Sequence, residues 1–458
     1  MLLDAFYKVF TNVKSETALV YKGLDITYKS LLETINNWQL EIVRQGLKSG
    51  QVVALNGDFT PNTIALLFAL IENANIIVPL ANQQPSSNQK KIEISGVATI
   101  ISVNENDDVS FERLNSSSVP TLYEKLRSQC HPGLVLFTSG TSGEPKAAVH
   151  DFVKLLEKFK RRTLTFRTLN FLLFDHWGGL NTMFHTLSNG GTVFALKDRS
   201  PHTVCAYIEK HKIELLPASP TFFNLLLISE AYLSYDLSSL KLITYGTEPM
   251  PISTLERIKE IFPSVKLQQT YGLIELGVLR SKSKSDDSLW VKVGGEGYET
   301  RIVDGLLEIK AESAMLGYLN APSPFTDDGW FKTYDMVEVD GDYIKIMGRQ
   351  SELINIGGEK VFPTEVESVI KELDNVAAVM VYSEKNLITG NIVCARICLN
   401  KFEEKSSFVK RLKVYCRGKL QPFKVPVKIE FVENISDIYS ERFKIKRSNN
   451  LKECVKEL

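Results

Sequence analysis

The alternation of element types constrains this chain more than any other feature. From residue 6 to about residue 348, stretches with helical spacing, as over 30–45, trade places with short apolar β-branched runs, as over 52–56. Such alternation dictates α/β layers with largely parallel sheet. Two later stretches, 301–310 and 336–347, alternate apolar and polar residues around Asp304-Gly305 and Asp340-Gly341. Both dipeptides are hairpin signals, so a small antiparallel β-subdomain is expected after the parallel sheets. Beyond Gly348-Arg349 the pattern restarts with a helix over 363–373, strands over 377–382 and 392–399, a helix over 407–418 and a strand over 428–432. The expectation is a large N-terminal domain over 1–349 and a small α+β domain over 350–458, about a hundred residues being a common size for an independent unit. The low-complexity string RSKSKSDDS (residues 280–288) reads as a mobile surface loop.

Composition removes several function classes. Hydrophobic residues at 44% and charged residues at 24% match a soluble globular protein, which argues against gross disorder and a fibrous repeat. Lys plus Arg (54) equals Asp plus Glu (54), so no net field draws the molecule to nucleic acid or an acidic membrane. Any bound anion must be held locally. The tail from Lys401 carries 15 Lys/Arg against 8 Asp/Glu, which suits an anionic ligand held between the two domains. Met1-Leu-Leu-Asp4 lacks a basic region ahead of an apolar core, so a cytoplasmic protein is expected. The most apolar stretch, 63–80, is broken by Glu72, Asn73, Asn75 and Pro79 and reads as a buried helix running into a strand, not a membrane span. Six cysteines without CxxC pairs suggest reduced, buried thiols and neither a disulfide framework nor a zinc cluster.

The segment Leu134-Val-Leu-Phe-Thr-Ser-Gly-Thr-Ser-Gly-Glu-Pro-Lys146 carries the strongest chemical signal. A buried strand opens into hydroxyls, two glycines and a lysine. Phosphate oxygens need many short-range donors; Gly140 and Gly143 let backbone N–H groups approach, while Thr138, Ser139, Thr141 and Ser142 add hydroxyls and Lys146 a charge. The spacing is not that of a Walker A loop.

The string TSGTSGEPK resembles the signature loop of the adenylate-forming superfamily, which includes acyl- and aryl-CoA synthetases, peptide-synthetase adenylation domains and luciferase. Further segments match in the same order, from Asp25-Ile-Thr-Tyr28 to Lys444. The resemblance implies roles residue by residue. In Tyr245-Gly-Thr-Glu-Pro249 and Gln269-Thr-Tyr-Gly-Leu-Ile-Glu275, the residues Gly246, Thr247, Glu248, Tyr271 and Gly272 would contact the nucleotide, and Glu275 would hold magnesium. In Gly329-Trp-Phe-Lys-Thr-Tyr-Asp335, Asp335 would accept hydrogen bonds from the ribose hydroxyls, and Arg349 would contact ribose or phosphate. Ser351 stands at the hinge position, and Gly357 and Gly358 would let a pantetheine arm pass against the backbone. Register with Leu420-Gln-Pro-Phe-Lys-Val-Pro426 makes Lys444 the catalytic lysine. The sequence departs from the family pattern at Ile274, where Thr is usual, at Tyr334, where Gly is usual, and at Phe443.

The implied chemistry uses ATP and Mg2+ to turn a carboxylic acid into acyl-AMP, then passes the acyl group to a thiol. Phe174-Asp-His-Trp-Gly-Gly-Leu180 falls where the family lines its acid pocket: His176 would gate it, and Trp177 and Phe222 would wall it. A one-residue shift of the match puts Asp175 where amino-acid adenylation domains hold the α-amino group. An aryl or compact acyl acid is the expected substrate. Three readings stand: transfer to coenzyme A, transfer to carrier-protein phosphopantetheine, or a catalytically weakened nucleotide-binding relative.

Overall fold

A computed structural model describes residues 2–81, 85–115, 120–138, 144–387, 389–439 and 445–446. Ser139, Gly140, Thr141, Ser142, Gly143, Phe443 and Lys444 lie outside the described residues. Two seven-stranded sheets and a six-stranded sheet precede residue 350, and a three-stranded sheet follows it. In the first sheet the strands Thr17–Tyr21, Arg167–Asn170, Thr192–Ala195, Leu215–Ala218, Leu242–Tyr245 and Lys266–Gln269 run parallel. In the second, Val52–Asn56, Ile76–Leu80, Thr99–Val103 and Gly133–Thr138 are the parallel core. The expected α/β class is therefore present.

The helices Asp4–Asn12, Tyr28–Arg44, Pro61–Glu72 and Trp177–Ser188 supply one core cluster together with side chains of both sheets. Local chemistry sets their starts. Thr27 and Thr60 accept hydrogen bonds from the amides of Ser30 and Thr63, and Pro61 occupies the first turn, where its missing N–H costs nothing. Thr63 through Ile71 are all buried, so this helix is apolar on every face because it is covered on every face. The 63–80 stretch is thus helix then strand, as expected. No helix among the described residues is long and apolar enough to cross a membrane.

The six-stranded sheet is antiparallel, with one hairpin turning at Asp304-Gly305 and another at Gly341-Asp342, one residue beyond the expected dipeptide, because Asp340 still pairs with Tyr343. One expectation fails here. Ser281–Ser283 is not loop but a strand paired with Trp290–Val293, because the Ser-Lys-Ser alternation has period two: Ser281 and Ser283 hydrogen-bond the backbone of Gln269. A second concerns cysteine. The five described cysteines are free, but Cys130 is exposed, since it ends the helix Glu124–Gln129 in a left-handed surface turn. After residue 350 come a hairpin of Ile354–Ile356 with Glu359–Val361, the helices Pro363–Lys371 and Lys405–Lys419, and the sheet of Val376–Asn386, Gly390–Leu399 and Lys428–Val432.

Candidate active site

Strand ends position the functional groups. Gly133–Thr138 and Lys146–Asp151 form an antiparallel pair with Thr138 opposite Lys146. Leu242–Tyr245 ends at Gly246, and Lys266–Gln269 ends at Thr270, side by side in the parallel sheet. A Cβ on Gly246 would meet Thr270 Oγ1 at 2.5 Å, so the two chains approach only because this residue is glycine. Thr247 follows in the left-handed region (φ 73°), and Glu248 accepts from Thr221 Oγ1 at 3.0 Å on each carboxylate oxygen.

Asp335 is the centre of the arrangement. It faces Arg349 across the hairpin of Phe331–Asp340 and Tyr343–Arg349. The Tyr271 hydroxyl donates to Asp335 Oδ2 at 2.6 Å, and Arg349 Nε lies 3.3 Å from Oδ1. Asp335 is buried, and its amide donates to Thr333 Oγ1, whose own hydroxyl donates to the Leu307 carbonyl. Burial pushes the carboxyl of Asp335 above its ordinary value against the pull of Arg349 and Tyr271. Burial beside Asp335 drives Tyr271 far upward, so its hydroxyl remains a donor. A carboxylate has about four lone-pair positions, so the Tyr271 hydrogen bond and the Arg349 ion pair leave capacity for two more donors.

Glu275 and Lys146 meet at a residue the sequence reading missed. The Tyr318 hydroxyl donates to Glu275 Oε1 at 2.5 Å, and Lys146 Nζ lies 5.7 Å from the centre of the Tyr318 ring. Tyr318 belongs to a two-residue strand, too short to leave a periodic signal. The two described departures from the family pattern have structural accounts. Tyr334 adopts φ 59°, the left-handed backbone a glycine takes freely, at a cost of roughly 1–2 kcal/mol for another residue. Ile274 packs against two apolar clusters.

The expected acid-pocket residues are distributed as follows. Asp175 pairs with Lys91 at 3.3 Å, with side chains 4% and 9% exposed, so a substrate ammonium would have to compete with a built-in cation. His176 caps the helix Trp177–Ser188, its Nδ1 accepting from the Gly178 amide at 3.1 Å. Trp177 is buried edge-on to Phe152 and lies 3.2 Å from where a Cβ on Gly277 would stand, which ties this loop to the Glu275 turn. Phe222 is fully buried against Phe171, ring centres 4.6 Å apart, in the core of the first sheet. Ser351 is exposed in the turn Gln350–Glu352. Gly357 and Gly358 make a hairpin turn at φ 57° and 94°, with open space where side chains would be.

Beneath the Glu275 turn, His150 is completely buried, its ring nitrogens facing the backbone of Ile274 and Ser313 without reaching hydrogen-bond geometry. Burial lowers its pKa to about 4; burial, then the charge of Lys158, lowers that of His185 to about 4. A histidine depressed in the folded state contributes stability above its unfolded pKa, near 6.5, which is lost as pH falls toward the folded value. Unfolding free energies measured from pH 7 to 4 should therefore fall more steeply for the wild type than for His150→Gln or His185→Gln, by up to about 1.4 kcal/mol per pH unit per histidine. Parallel profiles would contradict the assignment.

Residues 6–312 match the AMP-binding enzyme family, and residues 365–439 match the AMP-binding enzyme C-terminal domain. The chain belongs to the AMP-binding enzyme family. It is 27% identical over 465 residues to 2-succinylbenzoate–CoA ligase of Listeria innocua, covering 96% of each chain, and 24% identical to indoleacetate–CoA ligase of Aromatoleum aromaticum, covering 92% of each. Among solved structures, the Bacillus subtilis o-succinylbenzoate CoA synthetase in complex with its acyl-adenylate intermediate aligns with TM-score 0.76 at 21% identity over 99% of each chain. An anthranilate CoA ligase in complex with anthranoyl-AMP aligns with TM-score 0.80 at 19% identity, over 94% of this AMP-binding enzyme and 93% of that chain. These likenesses show that the chain shares the fold of those two proteins, with a large N-terminal and a small C-terminal domain.

Proposed function

We propose that this AMP-binding enzyme is an acid–thiol ligase that activates an aryl or compact acyl carboxylic acid with ATP and transfers it to coenzyme A. The observation that carries the reading is Asp335: a buried carboxylate, fixed by Tyr271 and Arg349, with acceptor capacity for the two hydroxyls of a ribose. Gly246, Thr247, Glu248 and Tyr271 would flank the adenine beside it, Gly272 would contact the nucleotide, and Arg349 would reach ribose or phosphate.

Glu275 fits magnesium. A small hard cation takes one or two carboxylate oxygens and completes its shell with phosphate and water, and among the described residues no cluster of three or more His, Cys, Asp or Glu offers a protein cage instead. When bound, the ion neutralises phosphate charge. The loop at 138–146 would hold the phosphates.

In the first half-reaction a carboxylate oxygen attacks the α-phosphorus in line, the bond to pyrophosphate breaks, and acyl-AMP results. In the second, the thiol sulfur attacks the acyl carbon and AMP departs as the thiol loses its proton. The first half needs positioning and charge stabilisation and no general base. Lys444 would supply cationic help from the small domain, and a turn of that domain about Ser351, between units 1–349 and 350–458, would bring Gly357 and Gly358 to the thiol path. The Lys91–Asp175 pair weighs against an amino-acid substrate. The aryl-acid relatives support an aryl substrate.

Acid-dependent pyrophosphate–ATP exchange over a panel of aryl, acyl and amino acids tests adenylation. Exchange with an aryl acid, followed by thioester formation with coenzyme A, is the expected result. Thioester only on a phosphopantetheinylated carrier protein would transfer the assignment to a carrier-loading enzyme, and no exchange with any acid would make the chain a weakened relative.

A further inference from the structure

The segment 315–320 straps together two parts of the site that are far apart in sequence. At one end the Met315 amide donates to the Glu275 carbonyl at 2.8 Å. At the other, Asn320 Nδ2 donates to the Pro145 carbonyl at 2.9 Å, and Asn320 Oδ1 accepts from the Ala147 amide at 3.0 Å. Between them, Gly317 and Tyr318 pair antiparallel with Val149 and Ala148. This backbone places the Tyr318 hydroxyl 2.5 Å from Glu275 Oε1 and its ring under the ammonium of Lys146, 5.7 Å away. A carboxylate and a lysine about to share one polyphosphate attract each other; an aromatic ring with a hydroxyl tip can satisfy both while keeping them from closing into an ion pair.

We propose that Tyr318 is a positioning residue of the nucleotide site: its hydroxyl orients the Glu275 carboxylate toward the metal and its ring seats the Lys146 ammonium toward phosphate. The inference rests on the assignment of Glu275 to magnesium and Lys146 to phosphate. Tyr318→Phe separates the two halves, because it keeps the ring and removes the hydroxyl.

Calorimetric binding of ATP to the full chain, across a magnesium titration and in chelator, provides the test. For Tyr318→Phe the half-saturating magnesium concentration should rise roughly fivefold, the worth of about one net hydrogen bond, with magnesium-free ATP affinity unchanged. Tyr318→Leu should in addition weaken magnesium-free binding by about threefold, the worth of a lost cation–π contact. Glu275→Gln serves as the reference and should shift the magnesium requirement further than Tyr318→Phe. A Tyr318→Phe protein that titrates like the wild type while Glu275→Gln does not would overturn the proposal alone. A wild type without magnesium dependence, or a silent Glu275→Gln, would overturn the Glu275 assignment and the proposal with it. Equal loss of binding with and without magnesium in Tyr318→Phe would mark general damage and count against the proposal.

Discussion

Asp335→Ala should lower kcat/KM for ATP in pyrophosphate exchange by about 10²–10⁴-fold, with KM for the acid changed less than about twofold. The estimate follows from two hydrogen bonds to a charged acceptor at roughly 1.5–3 kcal/mol each, with every 1.4 kcal/mol worth a factor of ten. The effect concentrates on ATP because Asp335 is held on a strand hairpin by Thr333, Tyr271 and Arg349, remote in sequence from the Asp175–Trp177 loop assigned to the acid. Asp335→Asn should fall between the two, since an amide keeps one acceptor oxygen and loses the charge. A variant that raises KM for the acid instead would move Asp335 out of the ribose role. Thermal unfolding of each variant separates a binding loss from the cost of leaving Arg349 without its carboxylate.

The second large effect is expected at Lys444. Lys444→Ala should reduce adenylation by about 10²–10³-fold, the usual consequence of removing a group that stabilises developing charge. Thioester formation from synthetic acyl-AMP should persist, because the phosphoryl chemistry is then already complete. Lys446 is the neighbouring candidate, and local structure argues against it: its amide donates to the Ile438 carbonyl at 2.9 Å and its ammonium to the Ser436 carbonyl at 2.6 Å, where Tyr439 and Ile445 bridge. Lys446→Ala should therefore leave exchange within a few-fold of wild type. Exchange surviving in Lys444→Ala and lost in Lys446→Ala would reverse the assignment.

Elements whose signals are local were legible in the sequence. The Asp304-Gly305 turn was readable because Asp304 and Gly305 both take positive φ, 52° and 77°, which Asp-Gly adopts at low cost. The buried helix before Ile76–Leu80 was readable from its unbroken apolar run and its Thr-Pro start. Contacts made through tertiary structure were not. Lys91 meets Asp175 across 84 residues, and nothing in the helix Pro85–Ser95 announces a buried cation. Tyr318 reaches Glu275 only because a two-residue strand adds to the edge of the second sheet. His176, placed at a gate by the family resemblance, also caps a helix, a contact that its neighbours in sequence do not announce. Ser281–Ser283 was misread because charged, serine-rich strings are usually loops, whereas pairing with an adjacent strand overrode composition here.

Determining the structure of the protein with ATP or a stable acyl-AMP analogue tests the assignment of the site most directly. The account predicts both ribose hydroxyls within about 3 Å of the Asp335 carboxylate and the phosphate chain lying along residues 138–146 between Lys146 and Glu275. An adenosine bound elsewhere, or a phosphate chain directed away from that loop, would contradict it.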